Sequence, residues 1–251
     1  MTQFVLFARL VKWDFLRELR RKEAVLNMIL FAVLVLFVIS MGAGPLIDEW
    51  RRAGRLLERQ GRPESLFVDL GSAVGPVLLW ATVLFAGTVG LSQSFAAERE
   101  GEGLVAIVLA PLDLGVFYLA KVFATWVYVI LMEVFLLGAY AVLFTVPGWR
   151  EVGLLLIVLV VFSLGYMAAG VVLAAMTSAL RRGGEVVLRI LLFPLLMPLI
   201  YLTLRVEEAL LGFATPMGVP IPLPSYVAMA LAFDVIYLTA GFVIFPKVLE
   251  E

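Results

Sequence analysis

The sequence predicts an all-α integral membrane protein with six transmembrane helices. Two observations carry that prediction. Of the 251 residues, 63% are hydrophobic and 16% charged, with a mean hydropathy of +1.06, whereas a soluble domain is about 45–50% apolar and about 25% charged. The apolar residues also gather in six runs near the roughly 20 residues that cross a hydrocarbon core of about 30 Å.

The charge balance and the missing residue types narrow the function. Nineteen Lys plus Arg against twenty Asp plus Glu give a net charge of −1, which offers no general attraction to nucleic acid. The chain has no Cys and no His. Disulfides, thiol nucleophiles, imidazole bases, Cys- or His-bound metals and His-ligated haem are therefore outside its chemistry. No role as an enzyme is expected, and no resident metal or cofactor.

The elements follow in chain order. In residues 1–23, Phe4, Phe7, Leu10, Val11 and Phe15 recur every three or four positions while Arg9, Lys12, Arg17, Arg20 and Arg21 fall elsewhere. That spacing predicts an N-terminal amphipathic helix in the cytoplasmic headgroup layer; a basic flank that only fixes orientation is the simpler reading. The first span, 24–47, is a charge-free run of 24 residues. A secretory signal would carry an apolar region of about 7–15 residues, so a retained helix is expected. A charged outer loop follows, 48–69, with five arginines and five acids. The second span, 70–97, is again free of charge.

Between spans two and three, Glu98, Glu100 and Glu102 alternate with Arg99, Gly101 and Gly103 and lead into an apolar run, Leu104 to Pro111, that includes Ile107 and Val108. The run is too short to cross a bilayer. Acids favour a helix N-terminus, so a short helix is predicted from near Gly101 or Gly103. It must cover its apolar surface either in the membrane interface or in a groove on a partner. The glycines loosely imitate a dinucleotide fingerprint, but no βαβ unit surrounds them and the glutamates would repel a pyrophosphate.

Span three, about 119–144, contains Glu133; span four, 152–180, is charge-free. Span five, about 186–204, carries Arg189 near one end and has Pro194 and Pro198 one turn apart, which removes two backbone donors and predicts a kink, a candidate hinge. Span six, about 224–245, contains Asp234. Acids inside a span are expected to face the bundle interior, as hydrogen-bonded glue or as part of a transport path. Gly71 with Gly75, and Gly165 with Ala169, offer small-residue steps for close helix contact. With no long linker or repeat, residues 1–251 read as one permease-like domain. Placing both termini inside puts twelve Lys and Arg on the inner segments and seven on the outer ones, the favoured orientation.

No Walker lysine motif, serine elbow, zinc motif or kinase signature occurs. The segment from Asp14 to Phe31, DFLRELRRKEAVLNMILF, the GEGL and LAPL steps followed by LAKVFATW from Leu119, and LRRGGEVVLRILLFPLLMPLI from Leu180 to Ile200 together resemble the CcmB family. That family supplies the membrane subunit of the cytochrome c maturation ABC transporter, a haem exporter. The resemblance covers almost the whole chain and implies an ABC-2 type permease bundle in the cell inner membrane. It implies as partners a CcmA-like ATPase that holds ATP, a CcmC-like haem-handling membrane protein and a CcmE-like haem chaperone, with two copies of this chain per complex. ATP hydrolysis in the partner would drive haem export or release of the haem-loaded chaperone. On the same resemblance Glu98 to Leu109 matches the coupling helix that contacts the ATPase, and Arg181, Arg182, Gly183 and Gly184 match a second inner-loop signature. An ABC-2 permease for lipid, drug or polysaccharide is the alternative. An intramembrane lipid-modifying enzyme using Glu133 and Asp234 lacks the metal-binding or His-containing constellation such chemistry needs, and a subunit-docking scaffold differs only in lacking ATPase coupling.

Overall fold

A computed structural model describes residues 22–59, 70–100, 113–143, 148–178, 183–210 and 222–250. Six helices fill them: α1 (Lys22–Arg59), α2 (Leu70–Glu100), α3 (Leu114–Leu143), α4 (Trp149–Ser178), α5 (Gly184–Leu210) and α6 (Leu223–Glu250). Each contains a stretch long and apolar enough to cross a membrane, as the composition required. The N-terminal segment 1–21 and the segment 101–112, with the two short helices expected there, lie outside the described residues.

The helices are longer than the spans, because charge ends a hydrophobic run without ending a helix. α1 continues through Asp48 to Arg59, the first half of the expected outer loop. Arg, Glu and Leu are all good helix formers, so the ladder persists past the apolar run and past Pro45. Its 38 residues extend about 57 Å at 1.5 Å each, nearly twice the hydrocarbon core. α3 begins five residues earlier than expected, at Leu114. Asp113 caps it, its Oδ1 accepting from the N–H groups of Gly115 (2.9 Å) and Val116 (3.3 Å). Lys121, counted above as an inner-loop charge, lies inside this helix and is only 2% exposed. α5 runs on past Leu204 to Leu210. Arg205 satisfies itself on that helix, donating to Glu208 at 2.7 Å and standing over the Tyr201 ring at 5.4 Å.

α4 is the axis of the bundle and packs against α2, α3, α5 and α6, whereas α1 packs mainly on α2 and α3. The approach to α4 is close because its inward face carries small residues, Gly165, Ala168, Ala169, Gly170, Ala174 and Ala175, all buried. In lipid, helix association relies on such van der Waals contact and on interhelical hydrogen bonds rather than on a hydrophobic drive. Gly165 with Ala169 thus serves the close contact its spacing suggested.

Pro194 and Pro198 sit within α5 with exposed rings, so the weakened ladder faces the surroundings. α6 compensates from the inside: the Tyr237 hydroxyl donates to the carbonyl of Leu195, between the prolines, at 2.5 Å. Neighbouring helices commonly resatisfy backbone groups freed by proline in a membrane. Tyr237→Phe is expected to keep the fold and lower stability by about 1 kcal/mol, the net worth of one hydrogen bond, read as an earlier unfolding midpoint of the detergent-purified chain.

Candidate functional site

The polar side chains inside the bundle are organised around glycine. At four helical glycines, Gly75, Gly87, Gly165 and Gly241, a neighbouring phenol or carboxyl enters the notch left by the missing Cβ. The Tyr166 hydroxyl of α4 rests on Gly87 of α2 and donates to the Leu84 carbonyl one turn earlier at 3.0 Å. Tyr118 of α3 repeats the device on α6, with its hydroxyl against Gly241, a contact to the Tyr237 carbonyl at 3.4 Å and a bond to the Ala168 carbonyl of α4 at 3.0 Å. Tyr140 of α3 occupies the notch at Gly75 of α2, and the Asp234 carboxyl of α6 the notch at Gly165 of α4. These contacts tie α2, α3, α4 and α6 together through polar groups inside the bundle.

The two acids read from the sequence both lie against the same turn of α4. Glu133, fully buried, faces the Ser163 hydroxyl and Tyr166 from α3. Neither of its oxygens has a well-aligned donor. Ser163 is already engaged: its hydroxyl donates to the Val160 carbonyl at 3.3 Å and accepts from Trp126 Nε1 at 3.1 Å. Asp234, 4% exposed, approaches from the opposite side through α6, and its Oδ1 likewise lacks a donor. The structure therefore places Glu133 and Asp234 on two sides of one helical turn, Ser163 to Tyr166.

A third buried acid was not singled out from the sequence. Glu207 of α5 is fully buried, and its Oε1 accepts from Trp80 Nε1 of α2 at 2.9 Å, while Oε2 has no partner. It lies beyond the expected end of span five and beside two other charges, Arg205 and Glu208, which disguised it. The signal was the spacing of Leu188, Leu192, Leu196, Leu199 and Thr203, all buried, a three-and-four rhythm that arrives at 206 and 207. Arg205 pairs with Glu208 and leaves Glu207 to the interior.

At the other end of the bundle, Lys121 Nζ donates to the Ser94 carbonyl at 3.3 Å and so joins the start of α3 to the last two turns of α2. Beside it a cavity of about 20 Å³, lined by Met28, Gly90, Ser94, Thr125 and Tyr128 among others, separates α1, α2 and α3. That space holds about one water. Of the expected coupling segment, Glu98, Arg99 and Glu100 belong to α2. Gly101, Glu102, Gly103, Leu104, Ile107 and Val108 lie outside the described residues, as do Arg181 and Arg182. Gly183 has φ +78° and Gly184 opens α5. The left-handed turn at Gly183 is one that L side chains resist by about 1–2 kcal/mol, and its carbonyl accepts from Val186 and Val187 at 3.0 and 3.1 Å. The end of α2, the start of α3, the end of α4 and the start of α5 thus share one end of the bundle.

Among the described residues no three potential metal ligands come together, and the acids on α3, α5 and α6 each meet aromatic or backbone groups rather than one another. Such an arrangement positions helices. Comparison with known proteins agrees with a membrane permease. Residues 67–246, which include α2 to α5 and most of α6, match the family described as CcmB protein. The heme exporter protein B of Pseudomonas aeruginosa is 31% identical over 179 residues, covering 71% of this chain and 78% of that protein. Fold, glycine-notched packing and match together identify the chain as a multi-pass membrane protein that belongs to the CcmB family.

Proposed function

We propose that the chain is the membrane permease subunit of an ABC transporter complex acting in cytochrome c maturation. ATP hydrolysis takes place in a separate CcmA-like ATPase, and this chain converts it into haem export or release of a haem-loaded CcmE-like chaperone, beside a CcmC-like membrane protein. Haem is cargo here, and ATP is bound by the partner. Two copies of the chain serve one complex of ABC-2 type. The observation that carries this reading is the CcmB match over residues 67–246; the Pseudomonas relative is named a heme exporter, which supports haem as the cargo.

The chain lies in the inner membrane with both termini cytoplasmic. The excess of Lys and Arg on the inner segments supports this, and the inner side stays ahead with Lys121 assigned to a helix. The inner end of the bundle then holds the end of α2 and the start of α5. There Glu98 to Val108 meets the ATPase, and Arg181, Arg182, Gly183 and Gly184 form a second contact. A push on the segment between α2 and α3 reaches both helices at once, because Lys121 links them at Ser94. Leu104→Asp with Ile107→Asp is expected to leave the protein in the membrane and uncouple ATP hydrolysis, lowering holo-cytochrome c at least tenfold, since two charges at an apolar contact cost several kcal/mol. Undiminished maturation would refute the coupling role. Purification of the tagged chain from native membranes tests the assignment as a whole: a P-loop ATPase and a haem-bearing partner should accompany it. A deletion that spares holo-cytochrome c would return the function to an exporter of lipid, drug or polysaccharide.

A further inference from the structure

Trp80 and Glu207 are 127 positions apart, yet their side chains form a buried 2.9 Å hydrogen bond between α2 and α5. Under the topology proposed above, this bond lies toward the outer end of the bundle, at the eleventh residue of α2 and within the last turn of α5. The two helices it joins are unlike any other pair. α2 runs to the inner face and ends in Glu98 to Glu100, the approach to the ATPase contact. α5 has its ladder weakened at Pro194 and Pro198, so its outer part, residues 199–210, is free to tilt relative to its inner part. The inward face of that outer part, Leu199, Leu202, Thr203, Val206 and Glu207, is buried. Glu207 has no counter-charge on its own helix, since Arg205 is taken by Glu208, and its second oxygen is without a donor. Closed, the site is held by one buried indole–carboxyl hydrogen bond and leaves the second carboxyl oxygen dry; opened to water, that oxygen gains the partner it lacks.

We propose that the Trp80–Glu207 bond is an outer latch: the outer part of α5 swings about the two prolines when α2 is displaced, and Glu207 is the positioning residue that holds this end shut between cycles. The displacement of α2 rests on the coupling role proposed above; the closing role of the bond does not.

The absence of Cys makes the test direct. Thr203 is fully buried one turn before Glu207 and bonds only within α5, to the Ile200 carbonyl, so Thr203→Cys introduces a single thiol at a quiet position. The complete complex, in sealed membranes, is treated from the outer side with a membrane-impermeant maleimide. In the parent the thiol should be protected without ATP and labelled during turnover. Glu207→Leu should raise labelling without ATP about tenfold, the effect of losing one buried hydrogen bond. Trp80→Phe, which keeps the ring and removes the donor, should match it, and the double variant should be no faster than either. Glu207→Gln retains an acceptor for the indole and should restore protection. Parent-like labelling in both Glu207→Leu and Trp80→Phe would overturn the latch, as would a Glu207→Gln variant as open as Glu207→Leu. Labelling that responds to these variants but not to ATP supports the latch and refutes the coupling role.

Discussion

Gly165→Ala is expected to disrupt the bundle at its centre. A Cβ at this position on α4 would meet the Asp234 carboxyl and also the Cα of that residue, at 3.1 Å. A side chain can turn aside, but a backbone atom cannot, so α6 must move off α4. Overpacking costs about 1–3 kcal/mol and occasionally more; with backbone involved the upper end applies, about 3 kcal/mol, against about 1 kcal/mol of helix propensity gained by alanine. Protein level in the membrane and the unfolding midpoint in detergent should both fall. Gly138→Ala and Gly153→Ala are the controls, since nothing lies within 4 Å of a Cβ at either position; both should remain within about 0.5 kcal/mol of the parent. Asp234→Ala combined with Gly165→Ala should recover only part of the loss, because it removes the carboxyl and leaves the Cα. Full recovery would mean the helices are not in backbone contact there.

Trp80→Ala is expected to be the most damaging change in α2. Trp80 is among the largest fully buried side chains, and truncating a buried Trp costs about 3–5 kcal/mol. It also removes the Trp80 hydrogen bond to Glu207 Oε1, adding about 1–3 kcal/mol for a stranded acceptor. Trp80→Phe should pay the second cost with little of the first. Unfolding midpoints of the two variants separate cavity from hydrogen bond: equal losses would show that ring volume contributes nothing, contrary to the packing described.

The six spans were legible because bilayer crossing demands length and apolarity together, and a sequence displays both. Their ends were not, since Asp48 to Arg59 and Arg205 to Leu210 remain helical by propensity and local ion pairing after apolarity has ceased. Nor was the central place of α4. A helix apolar around its whole circumference gives no periodic sign of which face is inward, and only the density of Gly and Ala between Gly165 and Ala175 hinted at close approach. Glu133 and Asp234 were visible as charges in the wrong solvent. Glu207 was not, because Arg205 and Glu208 made its neighbourhood resemble a loop. The phenol-to-glycine contacts join residues as far apart as Tyr118 and Gly241, and no local pattern encodes such a pairing.

The notches also limit how the bundle can move. A slide of one residue along a helix axis is about 1.5 Å, enough to lift each phenol from its glycine and off its carbonyl, and it would break the contacts of Tyr118, Tyr166 and Asp234 together. Neighbours of α4 are therefore locked against translation while remaining free to pivot, since a hydroxyl on a notch acts as a bearing. The bundle is thus built to admit changes of helix tilt more readily than changes of register.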